Sequence, residues 1–514
     1  MTEVLPLRSY AADHWSAPGI GAQLVSAIDG SVVAAMPGNS DPAEMVEHAR
    51  KVGGPALRAM TLQQRGRMLR ALADALSARK DELYALSYLT GATRGDSAFD
   101  IEGGIGTLFV YSSKAKGLPD ARVMLDGGRE AISKGDFLGQ HILAPLAGVA
   151  VHINAYNFPI WGMLEKLAPT LLAGMPAIVK PGTDGAYLTE AAFRIMIESG
   201  ALPPGALQLL LGDTTNLLDL LDGQDSVAFT GSAATANRLK ALPNIVSNTV
   251  RFAAEQDSLN ASILGPDVTV DAPEFDLFVK EVVREMTQKA GQKCTAIRRI
   301  LVPAALIDPV QDAIVARLAK MTVGDPREET TRVGALAGVR QRGDVQANLA
   351  TLRQEAELVV GGAIPDLGEQ LVGGAFFEPT LLRCDKPVEA EAVHAVEAFG
   401  PVSTLMPYAD AGQAIGLANA GKGSLALSLF SNDVAAVVGL VGGVSTFHGR
   451  IMIVNRDNAE FSSGHGAALP HLQHGGPGRA GGGAELGGTI GMMPYLQRSA
   501  IQASAAVLAA IEAL

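Results

Sequence analysis

Cysteine is nearly absent, at 2 of 514 residues. That excludes a disulfide framework and a cysteine-rich zinc site, and it fits a reducing, cytoplasmic compartment. Charge is sparse at 18%, and a net value of −12 excludes a general nucleic-acid surface, which needs clustered Lys and Arg. No stretch reaches the roughly 18 to 20 uninterrupted apolar residues of a membrane span. The opening MTEVLPLRSYAADHW has acidic and aromatic residues where a secretory leader has basic ones and then an apolar run. Neither membrane nor nucleic acid is expected as a partner.

What is present is apolar residue in quantity, 48% of the chain, enough for large cores. The length predicts two or three domains, because single cores stop growing at about 250 to 300 residues. From Pro42 to about Leu89, apolar residues recur at helical spacing, as in MLRALADALSARKDELYALS. From Leu146 onward, GVAVHIN, PAIVK, ALQLLL and SVAFTG are short β-branched runs separated by helix-like stretches. Strands alternating with helices predict a parallel sheet covered on both faces.

A second series follows residue 294: RRILVP, VQDAIVARLAKM, ELVVGG, PVSTLMPY, AGQAIGLANA, SLALSLF and GRIMIVN. Two such series predict two lobes. Sites in these sheets lie outside the carboxyl ends of strands, so an interlobe cleft is the expected place for chemistry. LPDARVMLDGGREAISKGDFLGQHILAP, read as two strands around a DGG turn, and the extended MPYLQRSAIQ fit neither lobe. Paired with each other they form a natural oligomer contact.

Three candidate sites compete. Gly476, Gly478 and Gly481 in GGPGRAGGG satisfy a formal dinucleotide fingerprint, but about thirty residues remain after it, too few for the required βαβ unit. A flexible or ligand-facing glycine loop is the better reading. His465, His471 and His474 could converge on a metal, yet no cysteine or HExxH partner accompanies them, so no metal is expected. Cys384 in LLRCDKP reads as a buried small hydrophobe. Cys294 has the same bland alternative, but it follows AGQK after the helical FVKEVVREMTQK, with Lys293, Arg298 and Arg299 nearby in sequence. Positive charge favours the reactive thiolate.

Read together, NAYNFP at 154–159, VKP at 179–181, FTGS at 229–232, Glu255, GQKC at 291–294 and EAFGP at 397–401 resemble the aldehyde dehydrogenase superfamily, in its order and at its approximate spacing. The resemblance implies an α/β fold with two Rossmann-like parallel-sheet lobes and a β-hairpin oligomerisation segment. It implies a cofactor-binding domain at 1–118 and 149–254, a catalytic domain at 255–470 and an oligomerisation segment at 119–148 and 488–514. A homodimer or higher homo-oligomer follows.

By the same resemblance, Cys294 is the nucleophile, Asn157 the oxyanion donor and Glu255 the base that activates water. Glu485, in GGGAELGG, matches a C-terminal motif glutamate, read either as a proton relay or as a salt-bridge partner. Lys180 and Glu397 match the residues on the two cofactor riboses, and Phe399 the one beside the nicotinamide. Gly231 and Ser232 open a helix whose N-terminus suits a pyrophosphate. Thr183 stands where NAD-preferring members carry a glutamate, which favours NADP over NAD, with Asp184 next door as a counterweight. EQDSLN departs from the family's ELGGK at the base.

NAYNFPIWGMLEKLAPT, FHGRI and HLQHGGPGRAGGGAELGG resemble the branch that oxidises semialdehydes of CoA thioesters in aromatic-compound breakdown. A CoA-linked semialdehyde is the expected substrate, and free aliphatic or aromatic aldehydes are the alternative. With Leu514 soon after the last motif, a stand-alone dehydrogenase without a fused hydratase domain is expected. The loop around 465–478 is a candidate wall for the thioester's channel.

Overall fold

The computed structural model describes residues 4–212, 216–512 and 514. Its first seven-stranded sheet runs Arg251–Glu255, Ser226–Thr230, Ala150–Ile153, Ala177–Lys180 and Leu207–Leu209, all parallel, and ends in the antiparallel pieces Tyr10–Ala11 and His14–Trp15. Ala150–Ile153 comes first of the five in the chain yet lies in the middle, between the second and the fourth. The strand order therefore reverses beside it, which opens a crevice at the carboxyl ends.

Both faces of this sheet are covered, which is why its strands are apolar throughout. The helices Trp161–Ala173 and Ala186–Glu198 bury continuous faces, and the long helices Leu62–Ala78 and Arg94–Ala115 pack with them in one core. Thr61 and Thr93 start the two long helices with reciprocal capping boxes through Gln64 and Asp96.

The second seven-stranded sheet has the order Glu357–Val360, Thr380–Arg383, Val402–Tyr408, Arg299–Pro303, Ala261–Leu264, Ser424–Phe430, His448–Val454, with only the first strand antiparallel. Its two faces carry separate cores, one around Leu301, Phe376 and Leu427 and one around Phe278, Val302 and Phe430. Cys384 is buried in the former, as a small hydrophobe should be. The two-lobed α/β reading holds. Five strands of these two sheets escaped the sequence reading: the short Tyr10–Ala11 and His14–Trp15, Thr380–Arg383, and Arg251–Glu255 and Ala261–Leu264, which RFAAEQDSLNASILG interleaves with polar residues.

A separate three-stranded antiparallel sheet joins Met124–Ala131, Leu138–Pro145 and Leu496–Ala503. The expected pairing of the hairpin with the C-terminal extended segment is present, in register from Leu496 with Pro145 to Ala503 with Leu138. The DGG is not its turn, however. Asp126, Gly127 and Gly128 lie inside the first strand, where the register slips between Asp126 and Glu130 and Gly127 takes φ +77°. A glycine there absorbs the bulge, and the turn lies at 132–137. Among the described residues no helix is long and apolar enough to cross a membrane.

Candidate active site

The site forms where the carboxyl ends of the first sheet meet the amino ends of the second. Asn157 lies in the loop between Ala150–Ile153 and the helix Trp161–Ala173, Lys180 ends its strand, Gly231 follows Thr230, and Glu255 ends Arg251–Glu255. Across the cleft, Cys294 precedes the strand Arg299–Pro303. The expectation that chemistry sits outside carboxyl ends thus holds for one lobe and not for the other.

The cysteine loop is held under strain. Three consecutive residues, Lys289, Ala290 and Gly291, take left-handed φ of 54°, 51° and 68°. A Cβ at Gly291 would lie 2.2 Å from the Gly400 carbonyl oxygen, so only glycine fits. Asp96 accepts from the Lys289 N–H at 2.7 Å, and Lys289 Nζ donates to Thr90 Oγ1 at 2.8 Å. Asn260 Nδ2 donates to the carbonyls of Cys294 and Ala296. Non-glycine residues in this region cost of order 1–3 kcal/mol each and persist only where surroundings fix them, as these contacts do.

One pocket is lined by Asn157, Glu255 and Cys294, with Phe99, Phe158 and Trp161 as an aromatic wall. Asn157 Nδ2 donates one hydrogen to the Gln292 carbonyl at 3.0 Å, which leaves its second hydrogen free. Among the described residues the Cys294 backbone N–H has no acceptor. Two donors are therefore available beside the thiol, as an oxyanion requires.

The charge near Cys294 in sequence does not act as expected. Lys293 Nζ donates to Glu285 Oε1 at 2.8 Å and to Gln288 Oε1 at 2.7 Å. Arg298 is spent on Glu397 and on the carbonyls of Gly400 and Gly291, and Arg299 on those of Leu259, Leu417 and Ala418. Burial, then the Glu255 carboxylate, push the Cys294 thiol well above its ordinary range. The resting group is a thiol, which needs a proton acceptor to react.

An acceptor lies beside it. His474 Nε2 is 3.7 Å from Cys294 Sγ and 3.1 Å from Glu255 Oε2. Burial opposes the charged imidazole, but Glu255 prevails and His474 is raised above 6.5. Burial likewise raises Glu255, and His474 and Lys166 overcome it to hold the carboxyl at about 2. The three histidines do not converge: His465 is buried on Ser428 Oγ and His471 is exposed. Only His474 enters the pocket.

Behind Glu255, fully buried Lys166 pairs with Glu485 at 3.2 Å and Glu165 at 3.4 Å. Oxygens of Glu165, Glu255 and Glu485 lie within 4.8 Å of one another. Burial, with Glu165 and Glu255 adding, raises Glu485 to about 7 against Lys166. Of the two readings of Glu485, the salt bridge is present. Sequence reading missed Glu165, Lys166 and the role of His474; an EK pair in the middle of the apolar WGMLEKLAPT was the available signal.

The glycine-rich segment is a packed hairpin, not a flexible loop or a phosphate loop. Gln473–Gly475 pairs with Ala484–Leu486, setting His474 opposite Glu485. Cβ atoms at Gly481 and Gly483 would lie 2.3 and 2.6 Å from the Ala254 carbonyl oxygen. Glycine lets this hairpin lie directly on the strand that ends in Glu255.

At the other end of the crevice the groups are more open. Lys180 Nζ donates to the Pro181 carbonyl at 3.0 Å, and burial, partly offset by Asp184, lowers its pKa. Thr183 is exposed in a short turn. Ser232 caps the helix Ala233–Lys240 by accepting from the Thr235 N–H. Asp257, from the departing EQDSLN, accepts from the Ala233 N–H at 2.9 Å, so a carboxylate sits at that helix start. Glu397 is buried, raised to about 7 by that burial against Arg298, and accepts from Ser258 N and Arg298 Nε. Phe399 meets Tyr156 edge-on at 6.3 Å.

The pattern of the Aldehyde dehydrogenase family matches residues 22–501. A 3,4-dehydroadipyl-CoA semialdehyde dehydrogenase from Aromatoleum evansii is 45% identical over 480 residues, 92% of this chain and 93% of that one. Protein MaoC from Klebsiella aerogenes is 49% identical over 179 residues, 35% of this chain and 52% of that protein. A structure of betaine aldehyde dehydrogenase from Staphylococcus aureus in complex with NAD+ has a TM-score of 0.83 at 25% identity, covering 97% of this chain and 94% of that one. A structure of a putative aldehyde dehydrogenase from Burkholderia cenocepacia reaches 0.84 at 23%, covering 97% of each, and shares the fold.

Proposed function

The chain belongs to the aldehyde dehydrogenase family, and from that premise we propose that it oxidises a CoA-linked semialdehyde, such as 3,4-dehydroadipyl-CoA semialdehyde, to the free acid through a thioester on Cys294. The observation that carries the reading is the meeting of Cys294, Asn157 and Glu255, from three separate elements, on one pocket. Cys294 attacks the aldehyde carbon. The free hydrogen of Asn157 Nδ2 and the Cys294 N–H receive the developing alkoxide, and one such donor is worth about 2.7–4 kcal/mol. Glu255, held ionised, takes a proton from the water that releases the acid. Lys166 holds Glu485 and Glu165 behind it, so Glu485 can accept that proton in turn.

The residues fit a nicotinamide dinucleotide. Lys180 keeps two unspent hydrogens for a ribose, and Gly231 and Ser232 open a helix whose N-terminus suits the pyrophosphate, with Asp257 as a local opponent. Glu397, whose oxygens each keep a lone pair, suits the second ribose, and Phe399 the ring. When bound, that cofactor supplies the hydride acceptor. Exposed, uncharged Thr183 leaves room for a 2′-phosphate, while the Asp184 carboxyl is raised by burial, so NADP is preferred over NAD.

For domains, residues 1–118 and 149–254 bind cofactor, 255–470 carry the nucleophile, and 119–148 with 488–514 make the contact of a homodimer or higher oligomer. Support comes from the separate three-stranded sheet, with Leu125 exposed on its first strand and Ile132 and Phe137 exposed in the following turn. The cytoplasm is the proposed location. The test is reduced-cofactor absorbance with the CoA-linked semialdehyde against simple aldehydes, with NADP and NAD in parallel. Turnover highest with the CoA-linked substrate and NADP, and absent in Cys294→Ala, is expected; equal turnover of free hexanal overturns the substrate assignment.

A further inference from the structure

His474 lines the pocket beside Cys294 and has so far been given no role. It is 3% exposed, and its backbone is fixed twice over. Its strand is registered against Ala484–Leu486. A Cβ on Gly449 would lie 1.7 Å from the Gly475 carbonyl oxygen, and one on Gly476 2.3 Å from that of Ser424, so the turn after His474 is pressed against its neighbours. The imidazole therefore cannot swing out to solvent without dismantling the hairpin. Its Nε2 faces Sγ at 3.7 Å, and among the described residues its buried Nδ1 has no partner. In a neutral ring with the hydrogen on Nδ1, Nε2 presents a lone pair to the thiol.

Resting on the proposed thioester chemistry, we propose that His474 is the proton acceptor for Cys294 as it attacks the aldehyde, and the donor that returns this proton when the thioester is hydrolysed. As the Sγ–C bond forms, the S–H proton passes to Nε2 and the carbonyl π pair becomes the alkoxide. The resulting imidazolium is held by Glu255 at 3.1 Å. The proton stays on Nε2 while the adduct becomes the thioester. Water then adds to the thioester carbon and gives a proton to Glu255, the C–S bond breaks, and the leaving sulfur takes back the proton from Nε2. The acid forms already carrying the second hydrogen of the water, so the proton on Glu255 passes by way of Glu485 to solvent, and both side chains return to their starting state.

Glu255 and His474 both lie near Sγ, but a base poised near the working pH transfers protons more effectively, and the imidazole, raised above 6.5, is that base. The groups that act on the imidazole are Glu255, Cys294, Glu165, Glu485 and Arg450, from the first sheet, the cysteine loop, the helix Trp161–Ala173, the paired strand and the second sheet. Glu255 and Glu165 favour the imidazolium and Arg450 opposes it, so proton acceptance is lost as pH falls through a value above 6.5.

The test uses alkylation, which needs neither aldehyde nor cofactor. The rate of Cys294 carboxamidomethylation by iodoacetamide is followed by peptide mass spectrometry in the full chain from about pH 5 to about pH 9, with buried Cys384 as the internal reference. The parent should show a limb above 6.5, shifted towards acid in Glu255→Gln. His474→Gln and His474→Phe should lose that limb and alkylate at least about tenfold more slowly at pH 7. In the second readout, the first-turnover burst of reduced cofactor with hexanal should slow by about 100-fold in His474→Gln and persist in Glu255→Gln. An unchanged limb in both His474 variants, or a limb lost in Glu255→Gln alone, overturns the assignment. A limb that depends on His474 in a protein that oxidises no CoA-linked semialdehyde supports the assignment and refutes only the substrate.

Discussion

The two ends of the interlobe crevice solve opposite problems. At the sulfur end, His474, Glu255, Glu485, Glu165 and Lys166 are packed out of water beside the half-buried Cys294. At the other end, Lys180, Thr183 and Ser232 keep donors unspent or open to solvent. The first set fixes protonation states through neighbours; the second leaves its hydrogen bonds to be completed by a ligand. One lysine in each set makes the difference measurable, because the same substitution should do different things.

Lys166→Met leaves Glu165 and Glu485 facing each other without their cation and should cost about 3–5 kcal/mol of stability, read as a fall in the urea midpoint. Lys180→Met removes a single hydrogen bond to a carbonyl and a desolvated charge, so the urea midpoint should hold. Its cost should fall on cofactor binding, at about 1.5–3 kcal/mol by fluorescence titration. Equal stability losses in the two variants erase the distinction.

Acidification sharpens the same contrast. His152, His448 and His465 are buried and held at about 3, each first by burial. Their folded values lie below 6.5, so the unfolded chain binds more protons between those limits. Stability should therefore fall as pH drops from about 6.5 towards 3, by up to about 1.4 kcal/mol per pH unit per histidine. Denaturant midpoints across that window check it, and His152→Phe should reduce the slope. Glu255 adds a loss lower down, its stabilisation intact above 4.5 and gone as pH falls through about 2. The smallest effect belongs to the open end: Thr183→Glu should shift preference from NADP towards NAD by about tenfold, roughly 1.4 kcal/mol, in parallel initial rates.

Much of this was legible in sequence where the physics is local. The runs GVAVHIN, PAIVK and SVAFTG became parallel strands because β-branched residues suit a sheet buried on both faces, and SAATA became a capped helix start. The roles expected of Asn157, Glu255 and Cys294 rested on the family resemblance, and the three side chains line one pocket. What failed was inference from neighbours along the chain. Lys293, Arg298 and Arg299 stand next to the cysteine in sequence, yet each is neutralised or saturated by partners many residues away. His474 and Lys166 lie 180 and 128 positions from Cys294, joined to its surroundings only by the fold. The glycines around 475–483 looked like a ligand loop because composition shows that backbone must pass closely, not what it passes; here it is the strand ending in Glu255.

The most direct measurement is the intact and peptide mass of Glu255→Gln after mixing with NADP and the CoA-linked semialdehyde. Hydrolysis should be slowed about 100-fold or more while acylation proceeds, so an acyl adduct should accumulate on the peptide containing Cys294. No adduct alongside a full burst of reduced cofactor, or an adduct confined to Cys384, contradicts a thioester at Cys294.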